Sequence, residues 1–369
     1  MRRGKQIRYA VVGLGHIAQT AVLPAFRHAR RNSILAALVS DDPEKLVQLG
    51  RRYGVDRVYS YDEYDECLRT GEIDAVYIAL PNNLHREYTV RAACAGVHVL
   101  CEKPMAVTEA ECRTMIRAAR DNKVKLMIAY RLHFEEANLK AVEIARSGKL
   151  GKLRLFHSVF GMQVKEGNIR TKDELGGGTL YDLGIYCINA ARYALQAEPY
   201  EVLAASAGSG DPRFKEIDEM TSAVLRFPED RLAVFTSSFG SADVSVYEVI
   251  GTRGRLRVEP AYEYAMPLKH QLTIDGKTKQ RTFAKRDQFA AELVYFSNCI
   301  RKNIEPEPSG EEGLADVRII EALYRAAESG KAVALKPLTR RRRPTMRQEI
   351  RRPPIARPPD LVHAESASA

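Results

Sequence analysis

The fold is decided by Ile7-Arg8-Tyr9-Ala10-Val11-Val12-Gly13-Leu14-Gly15-His16-Ile17-Ala18. This stretch predicts a short apolar strand, a glycine turn and a helix that runs toward Ala29. Gly13 permits the tight turn, Gly15 has no Cβ to keep a pyrophosphate away, and the small Ala18 lets helix and strand pack closely. The same pattern occurs at ordinary strand-to-helix turns. Its position at the first such turn of the chain favours phosphate binding.

Apolar runs and helical patterns alternate after this turn. The runs predict strands at residues 34–39, 75–79, 97–101 and 126–129. The Asp42-Pro43 pair is a helix start, and glycines stand where helices should stop, at Gly54, Gly71 and Gly96. Strands that alternate with helices form a parallel, doubly wound sheet. We therefore predict an α/β Rossmann dinucleotide-binding domain over residues 1–129.

The tip of the second predicted strand bears on the choice of dinucleotide. An acid there would bind the ribose 2′-hydroxyl of NAD, whereas a nearby cation would accept the 2′-phosphate of NADP. Ser40 stands where the selective acid is expected, and Lys45 lies one helical turn further on. Asp41 and Asp42 favour NAD instead, although Asp42 is also explained as the helix cap. The pattern favours NADP and leaves NAD possible.

The strand predicted at residues 97–101 is followed at once by Glu102, Lys103 and Pro104. In an open α/β sheet, ligands bind beyond the carboxyl ends of the strands, so charged residues there meet the ligand. Lys103 is therefore a candidate catalytic residue. The alternative is a solvated loop with a weak ion pair.

The pattern changes after residue 130. Two helical segments, at about residues 135–147 and 179–194, accompany alternating strands at residues 153–160, 201–207, 220–227, 232–239, 245–250 and 256–258. Successive strands without intervening helices form an antiparallel sheet. We predict a second, α+β domain over residues 130–336, built on an open, mostly antiparallel sheet.

A glycine-rich stretch in this second domain runs from Gly176 to Asn189. Asp182 and Tyr186 are four residues apart, so on a helix they lie on one face. A carboxylate and a phenol paired in this way suit proton transfer at a bound sugar. The alternative is a solvated helix face with a buried tyrosine.

These features, in this order, resemble the Gfo/Idh/MocA family of oxidoreductases, and among its branches they look most like glucose-fructose oxidoreductase. The similarity runs from about Ile7 to Val333. One departure is Ile169-Arg170, where the branch often has Trp-Arg; this chain has no tryptophan. The motifs that carry the resemblance are Gly13 to Ala18, Leu80-Pro81-Asn82-Asn83-Leu84-His85, Cys101-Glu102-Lys103-Pro104-Met105, Tyr130-Arg131-Leu132-His133, Gly176 to Asn189, and Pro308-Ser309-Gly310-Glu311-Glu312-Gly313.

The resemblance implies catalytic roles for Lys103, Tyr186 and Asp182, and often a cis bond before the residue matching Pro104. A nearby ammonium such as Lys103 favours the phenolate form of Tyr186 and stabilises a developing alkoxide. No metal is expected. The residues expected at the cofactor, from the motifs and the resemblance together, are Gly13, Gly15, His16, Ile17, Ser40, Lys45, Tyr61, Leu80, Asn82, His85, Glu102, Lys103, Arg131 and Arg170.

The function this implies is hydride transfer between C1 of an aldose, such as glucose or xylose, and the nicotinamide of NADP. One alternative is a glucose-fructose oxidoreductase that recycles a tightly bound NADP. The chain starts six residues before its first strand, so we expect no N-terminal arm to trap the cofactor. Another alternative is a non-catalytic NAD(P)-bound regulatory protein, which the presence of Lys103, Asp182 and Tyr186 disfavours.

Composition predicts a cytoplasmic enzyme without a nucleic-acid or membrane partner. No apolar run is long enough to span a membrane, and no hydrophobic region of a signal peptide follows the basic N-terminus. The six cysteines show no C-x-x-C pair and read as reduced core residues. The net charge is +10, but eight arginines and only three acids lie beyond residue 339.

That Arg/Pro-rich tail, residues 337–369, has few apolar residues and is expected to be disordered. It is either a solvated appendage or a contact for acidic partners. The strand at residues 153–160 carries more apolar side chains than one buried face can use. We therefore expect a homodimer or homotetramer formed through the outer face of the antiparallel sheet.

Overall fold

The computed structural model describes residues 6–338, 342–357 and 359–368. The chain divides into two compact units. The first holds residues 1–131, 286–314 and 350–366, and the second holds residues 132–285, 315–349 and 367–369. The chain first passes from the first unit to the second between residues 131 and 132, two residues after the boundary predicted at 129/130. The units are not consecutive segments of the chain, because residues 286–314 and 350–366 return to the first unit.

The described part of the first unit contains a six-stranded parallel sheet in the order β3-β2-β1-β4-β5-β6. Its strands pair in parallel throughout, which confirms the predicted Rossmann fold. The strands are β1 (Ile7–Val12), β2 (Ser33–Val39), β3 (Val58–Tyr59), β4 (Ala75–Ile78), β5 (His98–Cys101) and β6 (Leu126–Ile128). The helices between them are α1 (Leu23–Ala29), α2 (Pro43–Tyr53), α3 (Tyr64–Arg69), α4 (His85–Cys94) and α5 (Glu109–Asp121).

Local signals set the ends of helix α2. The side chain of Asp42 accepts a hydrogen bond from the Lys45 backbone N–H, and Pro43 occupies the first helical position. The helix ends at Gly54, whose φ of 65° lies in the left-handed region that glycine adopts without strain. The predicted start and stop of this helix are therefore confirmed.

The sheet topology brings together residues that are far apart in sequence. β1 pairs with β4, β4 with β5, and β5 with β6, all in parallel. The residues after these strands therefore lie along one edge of the sheet. The chain order reverses between β1 and β4, which is where open α/β sheets bind ligands.

The described part of the second unit contains a nine-stranded sheet in the order β14-β13-β12-β11-β7-β10-β9-β8-β15. Only β7 and β10 pair in parallel there, so the predicted mostly antiparallel sheet is confirmed. The strands are β7 (Leu153–Gln163), β8 (Glu201–Ala207), β9 (Met220–Phe227), β10 (Arg231–Ser238), β11 (Gly240–Gly251), β12 (Gly254–Val258), β13 (Leu268–Ile274), β14 (Lys277–Phe283) and β15 (Val333–Ala334).

Four helices lie in the rest of the chain described here: α6 (Glu136–Arg146), α7 (Ile185–Leu195), α8 (Gln288–Lys302) and α9 (Gly310–Ser329). The sequence analysis identified neither α8 and α9 nor the β13-β14 hairpin. β14 is exposed along almost its whole length. It therefore lacks the alternation of apolar and polar residues that marks a half-buried strand.

The described tail differs from the expected disorder, because its backbone makes specific hydrogen bonds. The amide group of Gln19 bonds both the N–H and the C=O of Val362, and the N–H of Asp287 donates to the C=O of Arg352. Nearer the end of the chain, Ser368 forms a β-bridge with Val164. Backbone hydrogen bonds of this kind do not require apolar side chains, so composition did not reveal them.

None of the six cysteines, all of which the structure describes, forms a disulfide, and five of them are buried, as expected for core residues; Cys94 is exposed. Within the residues described, no helix combines the length and apolar character needed to cross a bilayer.

Candidate functional site

The glycine turn after β1 combines a structural glycine with an open one. Gly13 has a φ of +89°, and a Cβ there would lie 2.5 Å from the carbonyl oxygen of Ala79. At Gly15 a Cβ would meet nothing within 4 Å. Ala18 is fully buried, as the close packing of helix and strand requires. The turn is therefore closed against β4 and open above Gly15.

This geometry fits a dinucleotide. The helical segment after the turn, Ala18–Val22 followed by α1, begins directly after His16 and Ile17. Backbone N–H groups at the start of a helix favour an anion such as a phosphate. His16 and Ile17 are partly exposed there. The residues that would hold the pyrophosphate of NADP are thus Gly13, Gly15, His16 and Ile17.

The tip of β2 brings Ser40, Asp42 and Lys45 together. The Ser40 hydroxyl accepts a hydrogen bond from the Asp42 N–H at 3.2 Å, and the Lys45 ammonium lies 3.8 Å from the Asp42 carboxylate. The backbone N–H of Lys45 is the main cause that lowers the pKa of Asp42. Asp42 is therefore an ionised helix cap with a cation beside it, which matches the cap role predicted for it.

Tyr61 lies next to this tip. Its backbone N–H donates to Asp41 at 2.7 Å, so this carboxylate holds the Tyr61 turn. The ring packs edge-on against Tyr88, with ring centroids 5.8 Å apart. Burial raises the pKa of Tyr61 to about 12. The phenol thus stays neutral, and an aromatic surface lies beside Ser40. A contact between Tyr61 and the adenine stays a prediction.

Lys103 follows β5 and precedes a cis peptide bond to Pro104, as the resemblance implies. The preceding Glu102 accepts hydrogen bonds from the Tyr77 hydroxyl at 2.7 Å and from the Lys103 backbone N–H at 3.2 Å. Desolvation raises the pKa of Glu102, against the opposing effects of the Tyr77 hydrogen bond and the Lys103 charge. Glu102 therefore anchors the turn that carries Lys103.

His85 connects the two loops that flank this turn. Its Nδ1 lies 2.8 Å from the Pro104 carbonyl oxygen, and its Nε2 lies 2.9 Å from that of Leu80. The ring is fully buried, and burial lowers the pKa of His85. His85 thus supports the Lys103 loop and the loop that contains Leu80 and Asn82. A direct cofactor contact for His85 stays a prediction.

Two buried groups lie behind Glu102, and one of them is absent from the sequence analysis. Arg131 is 6 % exposed and donates to the Gln288 side chain at 2.5 Å. Glu292 of α8 is fully buried, and burial, with the charge of Glu102 as the next cause, raises its pKa well above its usual range. No sequence signal marked Glu292, because its neighbours come from distant strands.

In the second unit, the structure brings together Arg170, Asp182 and Tyr186. The Arg170 guanidinium donates to Asp182 through Nε at 2.6 Å. Asp182 belongs to a π-helical turn, Leu180–Gly184, that continues into α7, and Tyr186 lies in the first turn of α7. Such turns are rare and are frequent at functional sites. The Tyr186 ring lies 5.6 Å from that of Phe160, centroid to centroid.

The glycine run allows this arrangement. A Cβ at Gly177 would lie 2.4 Å from the carbonyl oxygen of Arg170, and one at Gly178 would lie 2.4 Å from the Tyr324 hydroxyl. The Gly178 N–H also donates to the Arg170 carbonyl at 2.9 Å. Gly177 thus packs against the Arg170 backbone and Gly178 against the Tyr324 hydroxyl, and the Gly178 N–H bond helps to hold Arg170 near Asp182.

Other motif residues form a buried polar network within the second unit. His133 bonds Asn189 at 2.8 Å, and Asn189 donates to Asp316 at 2.8 Å. Asp316 also accepts from the fully buried Arg192 at 2.6 Å, and Arg192 pairs with Glu198. The buried hydrogen bonds of this unit therefore account for His133 and Asn189 in their motifs.

The predicted site residues thus fall into two groups. Those of the first unit follow the carboxyl ends of the six strands β1 to β6, along one edge of the sheet. Those of the second unit gather at the start of α7. The direct roles of these residues toward cofactor or sugar stay predictions.

Comparison with known proteins identifies the family. The family model for oxidoreductases with an NAD-binding Rossmann fold matches residues 7–130, and that for the GFO/IDH/MocA C-terminal domain matches residues 138–257. A curated relative, the D-xylose 1-dehydrogenase [NADP(+)] of Haloarcula marismortui, is 33 % identical over 337 residues, which cover 89 % of this chain and 93 % of the relative.

Solved structures agree with this assignment. The aldose-aldose oxidoreductase from Caulobacter crescentus, complexed with glycerol, has a TM-score of 0.86 and 39 % identity, and the match covers 89 % of this chain and 100 % of that chain. A 3-ketoreductase from Actinomadura kijaniata in complex with NADP and TDP-benzene has a TM-score of 0.80 and 26 % identity, covering 87 % and 98 %.

Proposed function

Because this chain belongs to the Gfo/Idh/MocA family of oxidoreductases, we propose that it transfers a hydride from C1 of an aldose to NADP. That it is an NADP-dependent sugar oxidoreductase acting on CH–OH groups follows from its relatives, which include NADP-dependent D-xylose 1-dehydrogenases and an aldose-aldose oxidoreductase. Reaction at C1 is the finer proposal, since other relatives act elsewhere on the sugar, as the 3-reductases do.

The observation that carries the proposal is the placement of Lys103. It follows β5, which is hydrogen-bonded to β4, and β4 is hydrogen-bonded to β1 with its glycine turn. An ammonium at the edge where an open sheet binds its dinucleotide suits hydride transfer, which leaves negative charge on the substrate oxygen. Glu102 and His85 hold the loop on both sides, so little reorganisation is needed during the reaction.

Oxidation of the sugar at C1 removes a hydride from C1 and a proton from the C1 hydroxyl. NADP, when bound, accepts the hydride that leaves C1. We propose that Tyr186 takes the proton of the C1 hydroxyl while Lys103 stabilises the alkoxide that develops on that oxygen, so that the aldose becomes a lactone. Asp182, held by Arg170, orients the sugar through its hydroxyls. Asp182 accepts a hydrogen bond from Arg170, so Arg170 fixes the orientation of this carboxylate.

The test is a screen of aldoses, including xylose and glucose, for NADP reduction followed by nicotinamide absorbance. We expect lactone as the product, and Lys103→Met should lower kcat by roughly 10³-fold or more while the NADP dissociation constant stays within about tenfold. Lys149→Met, which removes an exposed lysine elsewhere, is the matched control. Oxidation at another carbon would refute the C1 proposal, and equal losses of rate and NADP affinity would refute the role of Lys103.

A second candidate function is transfer between two aldoses on one retained cofactor. The similarity to an aldose-aldose oxidoreductase favours it. The two candidates differ in whether the purified protein carries NADP and turns over only when a second sugar is present. Turnover with one sugar and excess free NADP, without a second sugar, would exclude this candidate.

We also propose that the chain forms a homo-oligomer through its antiparallel sheet. Leu232 of β10 is 40 % exposed and Met220 of β9 is 36 % exposed, so apolar side chains reach solvent on neighbouring strands. Sedimentation at micromolar concentration should give a mass near two or four times 41.4 kDa. The mass of one chain would refute the proposal.

A further inference from the structure

The C-terminal tail is fastened to the glycine turn by a single buried amide. Gln19 Nε2 donates to the carbonyl oxygens of Leu14 and Val362, at 2.9 and 2.8 Å, and its Oε1 accepts from the Val362 N–H at 2.8 Å. Gln19 is fully buried and Val362 is 5 % exposed. The side chain that holds Leu14, between Gly13 and Gly15, therefore also holds the tail.

The next residue of the tail reaches the other end of the expected dinucleotide site. His363 Nδ1 lies 2.9 Å from Asp42 Oδ2, at the start of α2 beside Ser40 and Lys45. His363 has a φ of 44°, an uncommon conformation for a residue other than glycine. Consecutive tail residues thus bond Gln19, whose side chain also bonds Leu14 of the glycine turn, and Asp42 at the tip of β2. An adenosine diphosphate spans the distance from this turn to this tip in a Rossmann fold.

The charges around Asp42 bear on how His363 affects the choice between NADP and NAD. An ionised Asp42 repels a 2′-phosphate, and by itself it would favour the free ribose hydroxyl of NAD. In this chain Asp42 is flanked by Lys45 on one side and His363 on the other. With Nδ1 on Asp42, Nε2 of His363 has no polar contact within the residues described, and its side chain is 63 % exposed. The ring is therefore available to a ligand.

We propose that the tail forms the adenosine edge of the cofactor site and that His363 binds the 2′-phosphate of NADP. This inference rests on the proposed NADP-dependent function, and it adds a determinant of cofactor choice that lies more than 300 residues from the glycine turn in sequence. The backbone bonds of Val362 to Gln19 hold His363 in place. Lys45 and Ser40 complete the phosphate contacts from the other side.

The experiment compares dissociation constants for NADP and NAD in four proteins cleared of bound nucleotide: unaltered, His363→Ala, His363→Arg and Arg357→Ala. His363→Ala should raise the NADP dissociation constant roughly three- to tenfold and leave the NAD dissociation constant within twofold. Because the contact is exposed, its energy lies in the lower part of the range for charge-assisted hydrogen bonds. His363→Arg supplies a guanidinium at this position and should bind NADP at least as tightly as the unaltered protein. Arg357→Ala removes an exposed charge from the same tail and should change neither constant.

The outcomes separate this inference from the proposed function. If His363→Ala binds NADP unchanged, or loses NADP and NAD equally, the 2′-phosphate role is overturned while sugar-dependent NADP reduction still stands. Tighter NADP binding by His363→Ala would also overturn it, because the tail would then compete with the cofactor. An equal loss in Arg357→Ala would show general charge attraction and overturn the specific contact. If the unaltered protein binds neither nucleotide, the proposed function fails as well.

Discussion

Alanine at Gly13 and alanine at Gly15 should have different effects: the first should destabilise the fold, and the second should weaken cofactor binding. At Gly13 the new Cβ lies 2.5 Å from the Ala79 carbonyl oxygen and 2.8 Å from its carbon, and the φ of +89° is unfavourable for alanine. The backbone conformation alone costs about 1–2 kcal/mol, and relieving the contact adds a similar amount. Gly13→Ala should therefore lose about 2–4 kcal/mol of unfolding free energy.

At Gly15 the expected outcome is the reverse. The new Cβ meets no protein atom within 4 Å, and no unusual backbone conformation opposes it. Stability should therefore stay within about 0.5 kcal/mol of the unaltered protein. The Cβ would occupy the space through which a pyrophosphate approaches the backbone. NADP binding should weaken roughly ten- to a hundredfold, about 1.4–2.8 kcal/mol.

The assay has two parts, each carried out on both variants. Urea unfolding without nucleotide reports stability, and NADPH fluorescence titration reports binding. The reasoning requires that Gly15→Ala binds poorly while folding normally. It is refuted if Gly15→Ala binds NADPH as tightly as the unaltered protein, or if it loses as much stability as Gly13→Ala.

Four further outcomes are expected. Tyr186→Phe should lower kcat by roughly 10²- to 10⁴-fold; near-normal kcat would show that another group takes the proton. Asp316→Asn leaves the buried Arg192 charge without one of its carboxylates, so urea unfolding should show a loss of about 3–5 kcal/mol, and a loss below about 1 kcal/mol would contradict this. Glu292 has its pKa raised by burial, so its contribution to stability is full below the pKa of the unfolded chain and is lost as pH rises toward its folded pKa. As pH rises above about 5, the unfolding free energy of Glu292→Gln should therefore increase relative to that of the unaltered protein, by up to about 1.4 kcal/mol per pH unit. A difference in unfolding free energy that stays constant from pH 5 to 8 would rule out a buried neutral carboxyl. Ser40→Asp should move kcat/KM from NADP toward NAD by roughly ten- to a hundredfold; an unchanged ratio would exclude Ser40 from the phosphate site.

The sequence by itself determined what depends on neighbours along the chain. The glycine turn, the Asp42-Pro43 start and the Gly54 end of α2 require particular residues because backbone conformation and helix capping act within a few positions. The alternation of strands and helices was predictable for the same reason, and it implied the parallel sheet. The cis bond before Pro104 came from the family resemblance and is present.

Only the tertiary structure decided which distant groups meet. Glu292 lies near Glu102 because α8 returns to the first unit, and no local pattern records that return. The tail illustrates the point further: its few apolar residues suggested disorder, yet Val362 is held by the side chain of Gln19. Composition measures the apolar surface that a segment can bury, whereas backbone hydrogen bonds to a distant side chain depend only on where the folded chain places that side chain.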